Sequence, residues 1–189
     1  MSLDAVILAG GRSSRMGRDK ALLPVGGETL LERQMRLARE AGARTLYLSC
    51  RNAGDYPLPG AVALPDRQAD GGPLEGIAAA LEATRAERLL VLAVDLPAMN
   101  GAFLGWLAAH PSPGVVPLLR GGSEPLAALY PAAAAGLARE LLARNRRSAR
   151  AFAAAACEAG WCVASAVPEA FAGALANWNR PGDWSGPLT

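Results

Sequence analysis

The residues Leu8-Ala9-Gly10-Gly11-Arg12-Ser13-Ser14-Arg15-Met16-Gly17-Arg18-Asp19-Lys20 constrain this chain more than any other stretch. They follow an apolar run, Ala5-Val6-Ile7-Leu8, which predicts a buried strand over residues 4–9. Two adjacent glycines then open a loop, Gly17 adds a third, and the cations Arg12, Arg15, Arg18 and Lys20 share it with one acid, Asp19. Glycine tolerates positive φ and lets backbone N–H groups approach a ligand closely. Successive N–H groups in such a turn form a concave anion site. Arg15 and Lys20 add full charges where the backbone offers only partial ones. A cationic, glycine-rich loop leaving the carboxyl end of a first strand predicts an α/β sheet that binds a polyphosphate.

The chain beyond the loop agrees. Gly26-Gly27-Glu28 reads as a tight turn. Thr29 with Glu32 forms a capping box, Leu31, Met35, Ala38 and Ala41 share one helical face, and Gly42 stops that helix. Strands are expected over 45–49, 61–64, 89–94, 115–118, 126–130 and 161–164, and helices over 74–86, 101–109, 132–144 and 148–159. The stretch 89–94 is apolar throughout, as a central parallel strand should be. Alternating strands and helices predict a mostly parallel sheet covered on both faces, in one domain spanning residues 1–189.

The loop fits neither common phosphate pattern. Gly17 precedes Arg18 rather than Lys, five residues separate it from Gly11, and G-x-G-x-x-G is absent. What it reads is L-A-G-G-x-x-x-R-M-G-x-x-K, which resembles the signature of the nucleotidyltransferases that pass an NMP from an NTP to a phosphate or alcohol. Within that superfamily the loop most resembles the molybdenum cofactor guanylyltransferases. The resemblance implies a three-layer, Rossmann-like α/β nucleotidyltransferase fold, with Leu8, Ala9, Gly10, Gly11 and Lys20 on the nucleotide and Arg15 and Lys20 as catalytic charges.

Further residues gather at the carboxyl ends of strands: Asn52, Asp66 and Asp95. Asp95 closes the all-apolar strand in Val94-Asp95-Leu96-Pro97. A carboxylate there suits Mg²⁺, which takes hard oxygen ligands together with substrate phosphates; it suits equally the N-cap of the following helix. The resemblance favours the metal, since V-D-x-P stands where the family carries C-D-x-P, with Val94 pointing into the core. Asn52 and Asp66 are common turn residues, and by resemblance match positions that contact the base or ribose. Gly72-Pro73-Leu74-Glu75-Gly76 resembles the family's G-P-L-A-G, with Glu75 for alanine. Asn177-Trp178-Asn179-Arg180-Pro181-Gly182-Asp183 resembles N-x-N-x-P-x-D. Arg144, Arg146, Arg147 and Arg150 form a cationic cluster that a helix C-terminus would attract anyway. The resemblance implies Arg147, Asn177 and Asn179 on a second, anionic substrate.

Composition limits the alternatives. A net charge of +2 is too small to argue for nucleic-acid binding. His110 is the single histidine, and Cys50, Cys157 and Cys162 lack CxxC spacing, so a structural zinc site is not expected and reduced cytoplasmic thiols are. No run of 18 uncharged apolar residues and no basic leader appear, so neither a membrane span nor a signal peptide is expected. The resemblance implies transfer of GMP from GTP to the phosphate of molybdopterin, with Mg²⁺ as cofactor and pyrophosphate released. A phosphate monoester is already ionised near neutral pH, so no general base is needed. Rival readings are a cytidylyltransferase for the same cofactor, a sugar-phosphate nucleotidyltransferase, and a non-catalytic nucleotide-binding partner protein. Retention of Lys20 and Asp95 argues against the last. Gly10-Gly11, where cytidylyl members tend to carry L-A-A-G, favours the larger purine. A monomer is expected, with transient contacts to proteins of cofactor synthesis or to target apo-enzymes.

Overall fold

Strand β1 (Leu3–Leu8) is buried at every position, which only an internal strand between two helical layers achieves. Its one charged residue, Asp4, is satisfied there: the carboxylate accepts from Thr45 N–H at 2.9 Å and from the Thr84 hydroxyl at 2.7 Å. A computed structural model of the chain describes residues 1–10, 19–52, 54–56, 59–66 and 71–176. Gly11, Arg15, Asn177 and Asn179 therefore lie outside the described residues.

After β1 come a 3₁₀ turn (Lys20–Leu22), β2 (Pro24–Val25), β3 (Glu28–Thr29), α1 (Leu30–Glu40), β4 (Leu46–Cys50), β5 (Val62–Pro65), α2 (Pro73–Ala83), β6 (Arg88–Ala93) and α3 (Gly101–Ala108). The second half adds β7 (Val115–Leu119), β8 (Gly122–Ser123), β9 (Ala127–Pro131), α4 (Ala135–Ala143), α5 (Ala149–Glu158) and β10 (Val163–Ala166). The main sheet runs β10-β7-β9-β6-β1-β4-β5, with β8 on β7. β6, β1, β4 and β5 are mutually parallel, whereas β9 runs antiparallel to both β6 and β7. The mostly parallel α/β architecture expected of the sequence is thus observed.

Side chains alternate across this sheet. Ala5, Ile7, Leu90, Leu92 and Leu129 face the layer holding α1 and α3, while Val6, Leu8, Leu89, Val91 and Tyr130 face α2, α4 and α5. Two short motifs set how the helices dock. At α1 the capping box is complete, with Glu32 N–H donating to Thr29 Oγ1 at 3.2 Å and Thr29 N–H to Glu32 Oε2 at 2.8 Å. At α2, Gly72 has φ 72°, which favours glycine, and Pro73 takes the first helical position. Gly76 serves differently: a Cβ there would lie 2.3 Å from Ser49 Oγ and 3.0 Å from Leu8 Cδ2. The G-P-L-E-G sequence is therefore the means by which α2 presses onto the carboxyl ends of β1 and β4.

Some boundaries differ from the sequence reading for identifiable reasons. α2 ends at Ala83 rather than near 86, because Thr84 turns to extended backbone and gives its hydroxyl to Asp4. The last strand starts at Val163 rather than 161, because the N–H groups of Trp161 and Cys162 both return to Ala156 O and close α5 around Gly160 (φ 76°). The β2–β3 ribbon was not anticipated; Gly26 and Gly27, at φ 57° and 86°, make its turn. Among the described residues no helix is long and apolar enough to cross a membrane.

Candidate active site

Because β5, β4, β1 and β6 are parallel neighbours, their carboxyl ends open on one edge, where ligands bind in such sheets. At β1, the N–H groups of Ala9 and Gly10 both donate to Ser49 O, at 3.1 and 3.0 Å, so the chain leaving Leu8 is pinned to β4. At β5, Asp66 N–H donates to Cys50 O at 2.9 Å, and Asp66 Oδ1 accepts from the Ser49 hydroxyl at 3.4 Å. A Cβ built on Gly10 would lie 3.4 Å from Asp66 Oδ2. Gly10 and Asp66, both read from sequence, are thus brought together, with Ser49 between them. Burial pushes the Asp66 carboxyl above its ordinary range and Glu75 adds to this, against the pull of the Ser49 hydroxyl and Arg51. Asn52 is placed differently. Its N–H and its Nδ2 donate to the two oxygens of Asp55, at 2.9 and 3.0 Å, so its amide donors close its own turn.

The loop ends at Lys20, and here the geometry tightens. Lys20 Nζ lies 3.2 Å from Asp95 Oδ2, across 75 residues of sequence. Lys20 opens the 3₁₀ turn, capped by Asp19, whose Oδ1 accepts from Ala21 N–H at 3.0 Å. The other oxygen of Asp19 accepts from the Tyr56 hydroxyl, and burial together with that bond pushes the phenol's pKa up. Asp95 follows Val94, which is buried as expected. The turn beyond it is held by Gln34, whose Nε2 donates to Leu96 O at 2.8 Å, and by Arg33 to Met99 O at 3.2 Å. The N-cap of α3 is Asn100, which accepts from Phe103 N–H at 3.0 Å. The carboxylate of Asp95 is therefore not used for capping and faces Lys20.

Asp95 also walls a cavity of about 400 Å³, together with Leu96, Glu124, Leu126, Arg147 and Arg150 among others. Its size is in the range of small-molecule sites, and its mixture of apolar wall and few charges is typical of them. Arg147 enters just before α5: its Nε donates to Asn145 Oδ1 at 3.1 Å, and its carbonyl would sit 3.5 Å from a Cβ on Gly72. Ser148 caps α5 by accepting from Ala151 N–H at 3.3 Å, which fixes Arg147 and Arg150 at its start. Glu75, the family's alanine position, points elsewhere. It is buried and paired with Arg139 of α4 at 2.9 Å, while Arg139 also binds Glu82, so this carboxylate ties α2 to α4. Among the described residues no three of His, Cys, Asp and Glu are placed to hold a metal. Asp95 alone, completed by substrate phosphates, is the donor set that magnesium ordinarily accepts.

Ser49, Tyr56 and Glu124 escaped sequence reading. Ser49 falls in an expected strand and Tyr56 outside any expected element, and their partners Asp66 and Asp19 are distant in sequence; Glu124 stands out only from the cavity it lines. Gly76 was legible only through the resemblance of Gly72–Gly76 to the family's G-P-L-A-G, and its close approach to Ser49 is seen only in the structure.

Comparison with known proteins converges on one family. Residues 5–160 match the MobA-like NTP transferase domain. A protein of Opitutus terrae named as a probable molybdenum cofactor guanylyltransferase is 41% identical over 187 residues, covering 96% of this chain and 93% of that one. The crystal structure of molybdopterin-guanine dinucleotide biosynthesis protein A from Archaeoglobus fulgidus superposes with a TM-score of 0.74 at 21% identity, over 95% of this chain and 94% of that one. A Mycobacterium tuberculosis protein solved as a complex with manganese has the same fold, with a TM-score of 0.61 at 20% identity over 89% and 90% of the two chains. The sequence signature, the mostly parallel sheet and these matches agree: the chain belongs to the MobA-like NTP transferase family.

Proposed function

We propose that this chain, acting as one domain, transfers GMP from GTP to the terminal phosphate of molybdopterin, forming the guanine dinucleotide and releasing pyrophosphate. The observation that carries the reading is the place of Asp95: its carboxylate meets Lys20 at 3.2 Å, and the residue also walls the cavity shared with Arg147 and Arg150. A group so placed stands between an NTP held by the glycine loop and an anionic acceptor in the cavity. The name of the Opitutus terrae relative, similar over nearly the whole of both chains, supports the same donor and acceptor.

Each residue then has a task. The backbone of Leu8, Ala9 and Gly10 leads the loop past the phosphates, with Gly11 and Arg15 following in sequence. Lys20 exchanges part of its interaction with Asp95 for phosphate oxygens and neutralises the departing pyrophosphate, aided by Arg15. Asp66 accepts from base or sugar donors of the nucleotide, with Asn52 at the neighbouring strand end. Arg147, joined by Asn177 and Asn179, takes the acceptor phosphate. That phosphate is ionised already, so positioning and charge neutralisation suffice and no proton acceptor is required. Asp95 would hold Mg²⁺, whose contribution is Lewis-acid neutralisation of phosphate charge.

Pyrophosphate release measured across the four NTPs with molybdopterin as acceptor tests the proposal. GTP is expected to be the preferred donor, and Asp95→Asn to lose on the order of 10²-fold or more in turnover while keeping the wild-type circular dichroism spectrum. A preference for CTP would move the chain to cytidylyl transfer, and turnover undiminished in Asp95→Asn would remove Asp95 from the mechanism.

A further inference from the structure

Among the described residues the carboxylates of Asp95 and Asp66 are both engaged. Asp95 meets Lys20, and Asp66 accepts from Ser49. Glu124 is the exception. It lines the cavity beside Asp95, Arg147 and Arg150, in the turn between β8 and β9. Its backbone is fixed, N–H to Pro117 O at 2.9 Å and carbonyl from Ala127 N–H at 3.3 Å, yet among the described residues no hydrogen bond or ion pair reaches its carboxylate. It is half-buried; burial pushes its pKa up and only the field of Arg150 opposes this. A part-buried carboxylate held without a donor costs stability, so a ligand that supplies donors gains from it. Among the described residues no third acidic or histidine ligand stands near enough to make this a metal site with Asp95.

The rest of the wall says what kind of ligand. Ala93, Leu96, Leu126 and Ala127 offer an apolar surface fit for a flat ring, while Arg147 and Arg150 offer cations fit for a phosphate. A carboxylate in the same cavity pairs best with an edge that carries two adjacent N–H donors, since it accepts both in parallel. A fused ring with an amino group beside a ring N–H has such an edge. Guanine has it as well as a pterin, but the sheet order separates the two. Gly10 and Asp66 leave β1 and β5, on one flank of β6, whereas Glu124 stands on the β9 flank.

We propose that Glu124 is a specificity-determining residue for the acceptor, its carboxylate taking the paired N–H donors of a 2-amino-4-oxo pterin ring whose phosphate lies toward Arg147 and Arg150. The proposal rests on the reading of the chain as a transferase for a pterin phosphate.

Binding of 6-hydroxymethylpterin and of 6-hydroxymethyllumazine, which carries an oxo group in place of the amino group, tests it by ligand fluorescence on wild type, Glu124→Gln and Glu124→Asp. The wild type should bind the pterin at least about tenfold tighter than the lumazine, as sites built for a donor reject the analogue lacking it. Glu124→Gln should bring that ratio close to one, Glu124→Asp should keep part of it, and GTP affinity should stay unchanged in both. A wild type without preference, a ratio preserved in Glu124→Gln, equal losses for both rings, or a loss of GTP affinity would each overturn the assignment. Transfer of GMP to molybdopterin, assayed on the same preparations, separates the two claims. Transfer without pterin preference sinks Glu124 alone, and pterin preference without transfer sinks the function while leaving Glu124 as a ring-binding residue.

Discussion

Lys20 and Asp66 show how much a single side chain at this edge is asked to do. Lys20 follows the glycine loop and meets Asp95 at 3.2 Å; in the proposed reading its ammonium takes the β- and γ-phosphates. Lys20→Ala should weaken GTP at least about tenfold, the usual effect of losing a charge-assisted hydrogen bond, and weaken GMP much less. Isothermal titration of both nucleotides checks this; equal losses would take Lys20 off the polyphosphate. Asp66 carries a cost that can be read without any ligand. Its folded pKa is raised above the ordinary 3.8, chiefly by burial. Between 3.8 and the raised value the folded state holds more protons than the unfolded one. Stability therefore falls as pH rises through that window and stays flat above it. Asp66→Asn lacks this loss. It should melt at a higher temperature than wild type at pH 7, the gap closing as pH falls toward 3.8, while its affinity for GTP is reduced. Thermal melts from pH 3.5 to 7 test the sign, and a variant less stable at neutral pH would show that Asp66 is held by favourable contacts instead.

At the scale of elements, α2 docks closely on the strand ends that carry Leu8 and Ser49. Gly76 brings the helix so near β4 that a methyl group there would meet Ser49 Oγ at 2.3 Å and Ser49 Cβ at 2.8 Å. Gly76→Ala should destabilise by about 1–3 kcal/mol, as overpacking does. Removing the hydroxyl in Gly76→Ala/Ser49→Ala should return part of that loss but not all, because the Ser49 Cβ contact remains; urea midpoints of the two single variants and the double variant measure it. The same region shows why some elements were legible and others not. α1 could be placed from sequence because Thr29, Glu32 and Gly42 carry local start and stop signals. The end of α2 could not, since Thr84 leaves the helix for Asp4, 80 residues away. Lys20 and Asp95 were each legible from their motifs, but their pairing depends on β1 lying beside β6. The competing reading of Asp95 as a helix cap was settled by Asn100, which already fills that role. Glu124 gave no sequence signal, because a polar residue in a turn before a strand is ordinary until the cavity around it is seen.

The whole molecule divides at β6. On one flank β1, β4 and β5 present Gly10, Ser49 and Asp66; on the other β9 and the start of α5 present Leu126, Arg147 and Arg150; Asp95 follows β6 itself. The antiparallel entry of β9 beside β6 makes this division, because it brings the amino end of β9 to the edge where the parallel strands end. If the two flanks hold separate substrates, their defects should separate in steady-state kinetics. Arg150→Ala should raise the KM for molybdopterin about tenfold or more, since a hydrogen bond to a charged partner contributes roughly 1.5–3 kcal/mol, and leave the KM for GTP near wild type. Asp66→Asn should do the converse. The double variant should show the product of the two single effects on kcat/KM, as sites without shared partners are close to additive. Losses in the double variant much smaller than that product would mean that Asp66 and Arg150 act on one ligand, and the division of labour across β6 would have to be abandoned.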